Sequence, residues 1–173
     1  MMTPTITDTM SWWAPFEALE TGQEFTTRGR TVTEADVVGF AALTGDWHPQ
    51  HADAEWAARS PFGERIAHGM LVLSMASGLV PFDPGRVVAL RGVSGVTFKR
   101  PVRFGDTLRV RGRIAELTPA SDDAGLVTFA WDVLNQDDRT VCRARVDVLW
   151  RRDGESRSAI AMPSADGFVP IPL

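Results

Sequence analysis

The chain has 173 residues and a mass of 18.9 kDa, the size of one ordinary domain with a full core. Hydrophobic residues make up 44% and charged residues 23%, which excludes a wholly disordered chain. A net charge of −4 argues against non-specific nucleic-acid binding, and a single cysteine, Cys142, excludes an internal disulfide and a cysteine-cluster metal site.

The first ten residues are Thr-rich, with no basic stretch followed by an apolar one. This argues against a secretory signal and makes the cytoplasm the default location. Ser11–Thr21 carries Trp12, Trp13, Phe16 and Leu19. It reads as a short helix or as an apolar arm packed on the body or on a second subunit. Gln23–Val32 reads as a strand. Thr33 opens Thr-Glu-Ala-Asp, a capping-box-like start for a helix through about Leu43, with Val37, Phe40 and Ala41 on one face.

Gly45–Ser60 reads as irregular, with Asp53 capping a short helix that holds Trp56 and Ala57. Pro61, Phe62 and Gly63 mark a turn. The following run from Ile66 is apolar almost all round and predicts a buried helix of about 11 to 13 residues that ends near Gly78. The apolar-rich stretch Met70–Phe82 is broken by Ser74, Ser77, Gly78 and Pro81 and is too short to cross a bilayer. Four strands follow: Arg86–Phe98, Thr107–Leu117, Leu126–Leu134 and Val141–Trp150. The second alternates Leu108, Val110 and Ile114 against Arg109, Arg111 and Arg113; the last places Cys142, Ala144, Val146, Val148 and Trp150 on one face. The order predicts an α+β domain in which one antiparallel sheet wraps a central buried helix. The whole chain, 1–173, is expected to be one domain: core about 23–151, N-terminal arm 1–22, C-terminal tail 152–173.

The chemistry-bearing residues cluster. All three histidines, His48, His51 and His68, fall within one short stretch beside Asp46. A carboxylate and an imidazole brought together share acid–base work on one water or one carbon acid, and Pro49 stiffens the loop between them. Gly69 opens the buried helix, where an unpaired backbone N–H with the helix dipole behind it suits a developing oxyanion. Gly69 is equally read as a residue that permits a tight turn. In Phe98–Leu108, Pro101 and Gly105-Asp106 mark a turn into a strand. Lys99, Arg100 and Arg103 there are candidates for phosphate contacts or for a solvated face. His48, His51, Asp46 and His68 include metal-ligand types, but Pro49 argues against a regular helix there and the helical His-Glu-x-x-His pattern is absent. No metal is expected.

Three segments together carry a resemblance. Gly45-Asp46-Trp47-His48-Pro49-Gln50-His51, the run from Phe62 to Leu71, and Pro101–Leu108 resemble, in that order, the motifs of the MaoC-like family of (R)-specific enoyl-CoA hydratases. The resemblance covers about Gln23 to Trp150. It implies a hot-dog fold, with the buried helix wrapped by the sheet. It implies Asp46 and His51 as the catalytic pair and Gly69 N–H as the donor to the thioester carbonyl. It implies a hydro-lyase that interconverts a 2-enoyl thioester and its 3-hydroxy product, with no cofactor beyond the coenzyme A or acyl carrier borne by the substrate. A homodimer or dimer of dimers is expected, its sheet continuous across two subunits, with an acyl carrier protein as a further candidate partner and neither nucleic acid nor membrane.

His48 stands where the family has Asn, and Gln50 where it has an aliphatic residue. Both departures bear on substrate identity and suit a polar, branched or short acyl group. Trp47, His68 and Ser77 complete the candidate substrate contacts, with His68 otherwise read as bonding backbone and Trp47 as packing. Two other functions fit the sequence: a hot-dog thioesterase, and a non-catalytic acyl-thioester-binding subunit of a heterodimer.

Overall fold

The computed structural model describes residues 8–153; most of the expected C-terminal tail and residues 1–7 of the expected arm lie outside the described residues. After a short 3-10 turn at Phe16–Ala18 come strands β1 (Glu24–Thr26) and β2 (Arg30–Thr31). Three helices follow, α1 (Glu34–Thr44), α2 (Pro49–Ala52) and α3 (Ala54–Ala58), then helix α4 (Gly69–Leu79). Strands β3 (Val87–Phe98), β4 (Thr107–Pro119), β5 (Ala124–Leu134) and β6 (Thr140–Arg151) complete the order. The sheet runs β1-β4-β5-β6-β3, all pairs antiparallel, and α4 packs on its inner face against β4 and β6. This is the α+β arrangement that the sequence predicts.

The alternation along each strand sorts the two faces. Register places Val110 beside Val133 and Val133 beside Cys142, and likewise Ile114, Phe129 and Val146 in one row. These rows are buried and form the core under α4. The neighbouring row, Arg111, Asp132 and Arg143, faces outward, where Arg143 pairs with Asp132 at 2.7 Å.

Four expectations change. The strand expected over Gln23–Val32 is two strands on β4, because Thr27 interrupts the ladder: its hydroxyl accepts from Val110 N at 2.9 Å in place of a backbone carbonyl. Gly45–Ser60 holds the expected Asp53-capped helix, α3, and a second one, α2, in the part that reads as irregular, since Pro49 occupies the first position of α2, where its missing N–H costs nothing. The buried helix starts at Gly69, and Ile66–His68 enters it extended, with Ile66 bridging to Arg103. Finally, α4 buries Leu71, Val72, Leu73, Met75 and Ala76 as expected of a buried helix but leaves one side open: Met70, Ser74 and Gly78, at i, i+4 and i+8, form an exposed stripe.

Two other features match their signals. Thr33 and Asp36 form the capping box of α1: Asp36 N donates to Thr33 Oγ1 at 3.2 Å and Thr33 N to Asp36 Oδ2 at 2.9 Å. The N-terminal arm packs on its own body. Trp12 sits 4.9 Å from the Phe25 ring centre and 5.7 Å from that of Phe82, while Trp150 Nε1 donates to Ala14 O at 2.8 Å. Trp13 points outward and is exposed. Strand β3 lies at the sheet edge with Val88, Leu90, Val93, Val96 and Phe98 all exposed. Among the described residues, no helix is long and apolar enough to cross a membrane.

Candidate active site

Helix α1 ends at Gly45, which adopts the left-handed conformation (φ 77°) and donates its N–H to Ala41 O at 2.8 Å. Only a residue that tolerates positive φ makes this turn cheaply, and it releases Asp46 from the helix end. Asp46 Oδ1 then accepts from His48 N at 3.3 Å. His48 caps α2, its Nδ1 accepting from Gln50 N at 3.2 Å. One turn further, His51 is carried inward and buried.

The segment before α4 fixes this loop through three bonds. Ile66 N donates to Gln50 O at 3.1 Å, His51 Nδ1 donates to Ile66 O at 2.7 Å, and His68 Nε2 donates to Asp46 O at 2.9 Å. Ala67 N donates to Val102 O at 2.8 Å, which brings in the third motif. The three segments singled out by sequence therefore meet in one place.

A carbonyl only accepts, so the Ile66 bond puts the hydrogen of neutral His51 on Nδ1 and leaves a lone pair on Nε2. Burial holds the His51 pKa below the ordinary histidine value, and the neighbouring His68 and His48 add to this against the Ile66 carbonyl and Asp46. The His51 ring stacks on His68 at 3.7 Å and 27°, with Phe40 on His68 at 5.1 Å. One ligand-type atom from each of Asp46, His51 and His68 lies within 4.8 Å of the others. One nitrogen of each ring is engaged with a backbone carbonyl, Ile66 O for His51 and Asp46 O for His68.

His51 borders a cleft of about 300 Å³ lined also by Gln50, Phe62, Val72, Phe98, Lys99, Arg100 and Val102. Gly69 lies on the same wall. As the first residue of α4 its N–H has no intrahelical acceptor. A Cβ at this position would stand 2.7 Å from the Phe98 ring, so any larger residue would have to displace that ring from the cleft wall. The arrangement thus combines a neutral imidazole base, a nearby carboxylate, a backbone donor at a helix start and a mostly apolar groove.

Of the candidates read from the sequence, Asp46, His51, Gly69, Gln50, Lys99 and Arg100 come together at or beside this cleft. Others lie elsewhere. His68 is buried behind His51, His48 faces Trp56 at 5.4 Å, and Trp47 is exposed. Arg103 pairs with Glu64 at 2.5 Å. Ser77 lines a second, apolar hollow of about 320 Å³ between α4 and β3, with Leu90, Val93 and Trp131. The sequence reading missed Phe98, the Ile66 carbonyl and Phe40. Ile66 lies inside a recognised motif, but nothing in a sequence marks which carbonyl orients a histidine.

The family model of the MaoC-like domain matches residues 16–127. The chain is 45% identical over 98 residues to the MaoC protein of Klebsiella aerogenes, covering 56% of this chain but only 29% of that protein. It is 35% identical over 121 residues to an (R)-specific enoyl-CoA hydratase of Aeromonas caviae, covering 69% of this chain and 87% of that protein. A solved monoamine oxidase regulatory protein from Archaeoglobus fulgius superimposes with a TM-score of 0.76 at 38% identity, over 80% of this chain and 95% of that one. A double-hotdog protein from Mycobacterium tuberculosis superimposes with a TM-score of 0.71 over 92% of this chain and 52% of that one; at 23% identity it shows the hot-dog fold alone.

Proposed function

The chain belongs to the MaoC-like domain family, and from that premise we propose that it is a hydro-lyase that interconverts a 2-enoyl thioester and the (R)-3-hydroxyacyl thioester. The observation that carries this reading is the meeting of His51, in its Nδ1–H tautomer, with Gly69 on one cleft wall and Asp46 alongside. Asp46, His51 and Gly69 are the proposed reacting groups.

In the hydration direction, one water takes the place of the Gln50 amide on His51 Nε2 and binds between that nitrogen and the Asp46 carboxylate. Its oxygen bonds to carbon 3 of the acyl group. The electron pair of the double bond moves toward the thioester carbonyl, whose oxygen meets the Gly69 N–H with the α4 dipole behind it. The proton released onto the Asp46–His51 pair returns to carbon 2. Hydrogen and hydroxide are added, nothing is oxidised or reduced, and the same path runs backward as a dehydration. The chemistry calls on no metal or redox cofactor. Lys99 and Arg100, which also line the cleft, are the proposed contacts to phosphates of the carrier, coenzyme A or an acyl carrier protein.

We further propose a homodimer. The exposed apolar edge strand β3 adjoins the exposed stripe of α4, and a second copy laid there antiparallel would extend the sheet and cover both. Phe98 belongs both to this edge and to the cleft, so the second copy would border the site.

The test follows the ultraviolet absorbance of an enoyl thioester together with thiol release. The wild-type protein should consume the enoyl group without releasing thiol. Asp46→Asn and His51→Ala should each lower the rate by about 10²–10⁴-fold. Thiol release that survives both substitutions would instead point to a thioesterase and overturn the site.

A further inference from the structure

The cleft wall beside the base has a polar face. Gln50 lines the cleft, and its amide nitrogen lies 3.0 Å from His51 Nε2. The bond to Ile66 leaves only a lone pair on Nε2, so the Gln50 group facing it is the amide NH₂ and not the amide oxygen. One amide hydrogen is thereby engaged. The second hydrogen and the amide oxygen have no partner among the described residues, and the oxygen is not buried. Gln50 lines a groove whose other walls include Phe62, Val72, Val102 and Val141.

An alkyl chain laid over this carboxamide would strip its water and return no hydrogen bond. An unmet polar group of this kind costs about ten- to a hundredfold in affinity. An oxygen on the acyl chain would meet it. Charge narrows the choice: Lys99 and Arg100, the cations that line the cleft, are assigned to the carrier's phosphates, and the Asp46 carboxylate near the His51 imidazole disfavours a second carboxylate beside Gln50. We infer that Gln50 is a specificity-determining residue, and that the site prefers thioesters whose acyl group carries an uncharged hydrogen-bonding oxygen beyond carbon 3 over plain alkyl thioesters. The inference rests on the hydro-lyase reading, which sets how the acyl group lies. The oxygen on carbon 3 is the business of Asp46 and His51; the Gln50 amide reads the next part of the chain.

Calorimetry with unreactive saturated thioesters tests this without turnover. Pentanoyl-CoA, 4-oxopentanoyl-CoA and glutaryl-CoA are titrated into wild type, Gln50→Leu and Gln50→Met. Two apolar shapes guard against reading a packing defect in one variant as lost recognition. Wild type should bind 4-oxopentanoyl-CoA about tenfold or more tighter than pentanoyl-CoA. It should show no such gain for glutaryl-CoA. Both variants should bring the oxo-to-alkyl ratio to unity or invert it. A ratio unmoved by either substitution, or no wild-type preference, overturns the inference. Should the ratio shift as expected while the wild type hydrates no 2-enoyl thioester, the hydro-lyase reading fails and the Gln50 assignment stands. Should enoyl thioesters be hydrated while the ratio stays fixed, the Gln50 assignment alone fails. Should none of the three proteins bind any of the three thioesters, both fall.

Discussion

One backbone N–H and one imidazole ring set the chemistry of the site. Gly69 presents its N–H as the first residue of α4, and Gly69→Ala would press a methyl group against the Phe98 ring from 2.7 Å. The expected result is a fall in kcat of about 10²-fold or more as the carbonyl is pushed off its donor, measured by the enoyl absorbance assay. Unchanged kcat would remove Gly69 from the site. His51 is read through its pH dependence. Its pKa is lowered by burial, so the neutral base persists below the ordinary histidine value of about 6.5, and the acid limb of kcat/KM should fall below that pH. The same shift bears on stability. A histidine whose folded pKa is depressed contributes stability above its unfolded pKa, and this is lost as pH falls toward and through the folded value. Acid melts should therefore be shallower in His51→Gln than in wild type over the range just below pH ~6.5. Cys142 reports on packing. Burial raises its pKa to about 11, so thiol reagents at mildly alkaline pH should label it only after unfolding.

At the scale of elements, the Thr33–Asp36 box and the alternation of β4 and β6 were legible because each rests on local physics. The split of the first strand was not. It depends on Thr27 reaching Val110, which is remote in sequence, and no local signal reports such a bond. The α4 stripe was readable in principle, since Met70, Ser74 and Gly78 share a face, but small and apolar residues conceal the polarity that usually marks an exposed side. That stripe and β3 carry the proposed contact between copies. Leu90→Asp and Val93→Asp put charges on the exposed edge, where they cost little to a single chain. Each should shift the protein toward monomer in sedimentation at micromolar concentration while leaving the far-ultraviolet spectrum intact. A wild type that sediments as a monomer at all concentrations would rule out the contact.

For the molecule as a whole, the site exists only through its long-range closure. Asp46 and His51 come from the loop after α1, Gly69 from the start of α4, and Val102 from the approach to β4; backbone bonds from Ile66 and Ala67 tie them together. The sequence displayed these as three separate motifs, and their order made the common site legible. The tautomer of His51, the stack on His68 and the bond from Gln50 required three dimensions, because each depends on ring orientation. The central claim is that this site adds water across a carbon–carbon double bond. Wild type should be given a 2-enoyl thioester in oxygen-18-labelled water and the product analysed by chiral chromatography and mass spectrometry. The expected result is one labelled oxygen on carbon 3 of an intact (R)-3-hydroxyacyl thioester. Label in a released carboxylate, with carbon 3 unaltered, would contradict it.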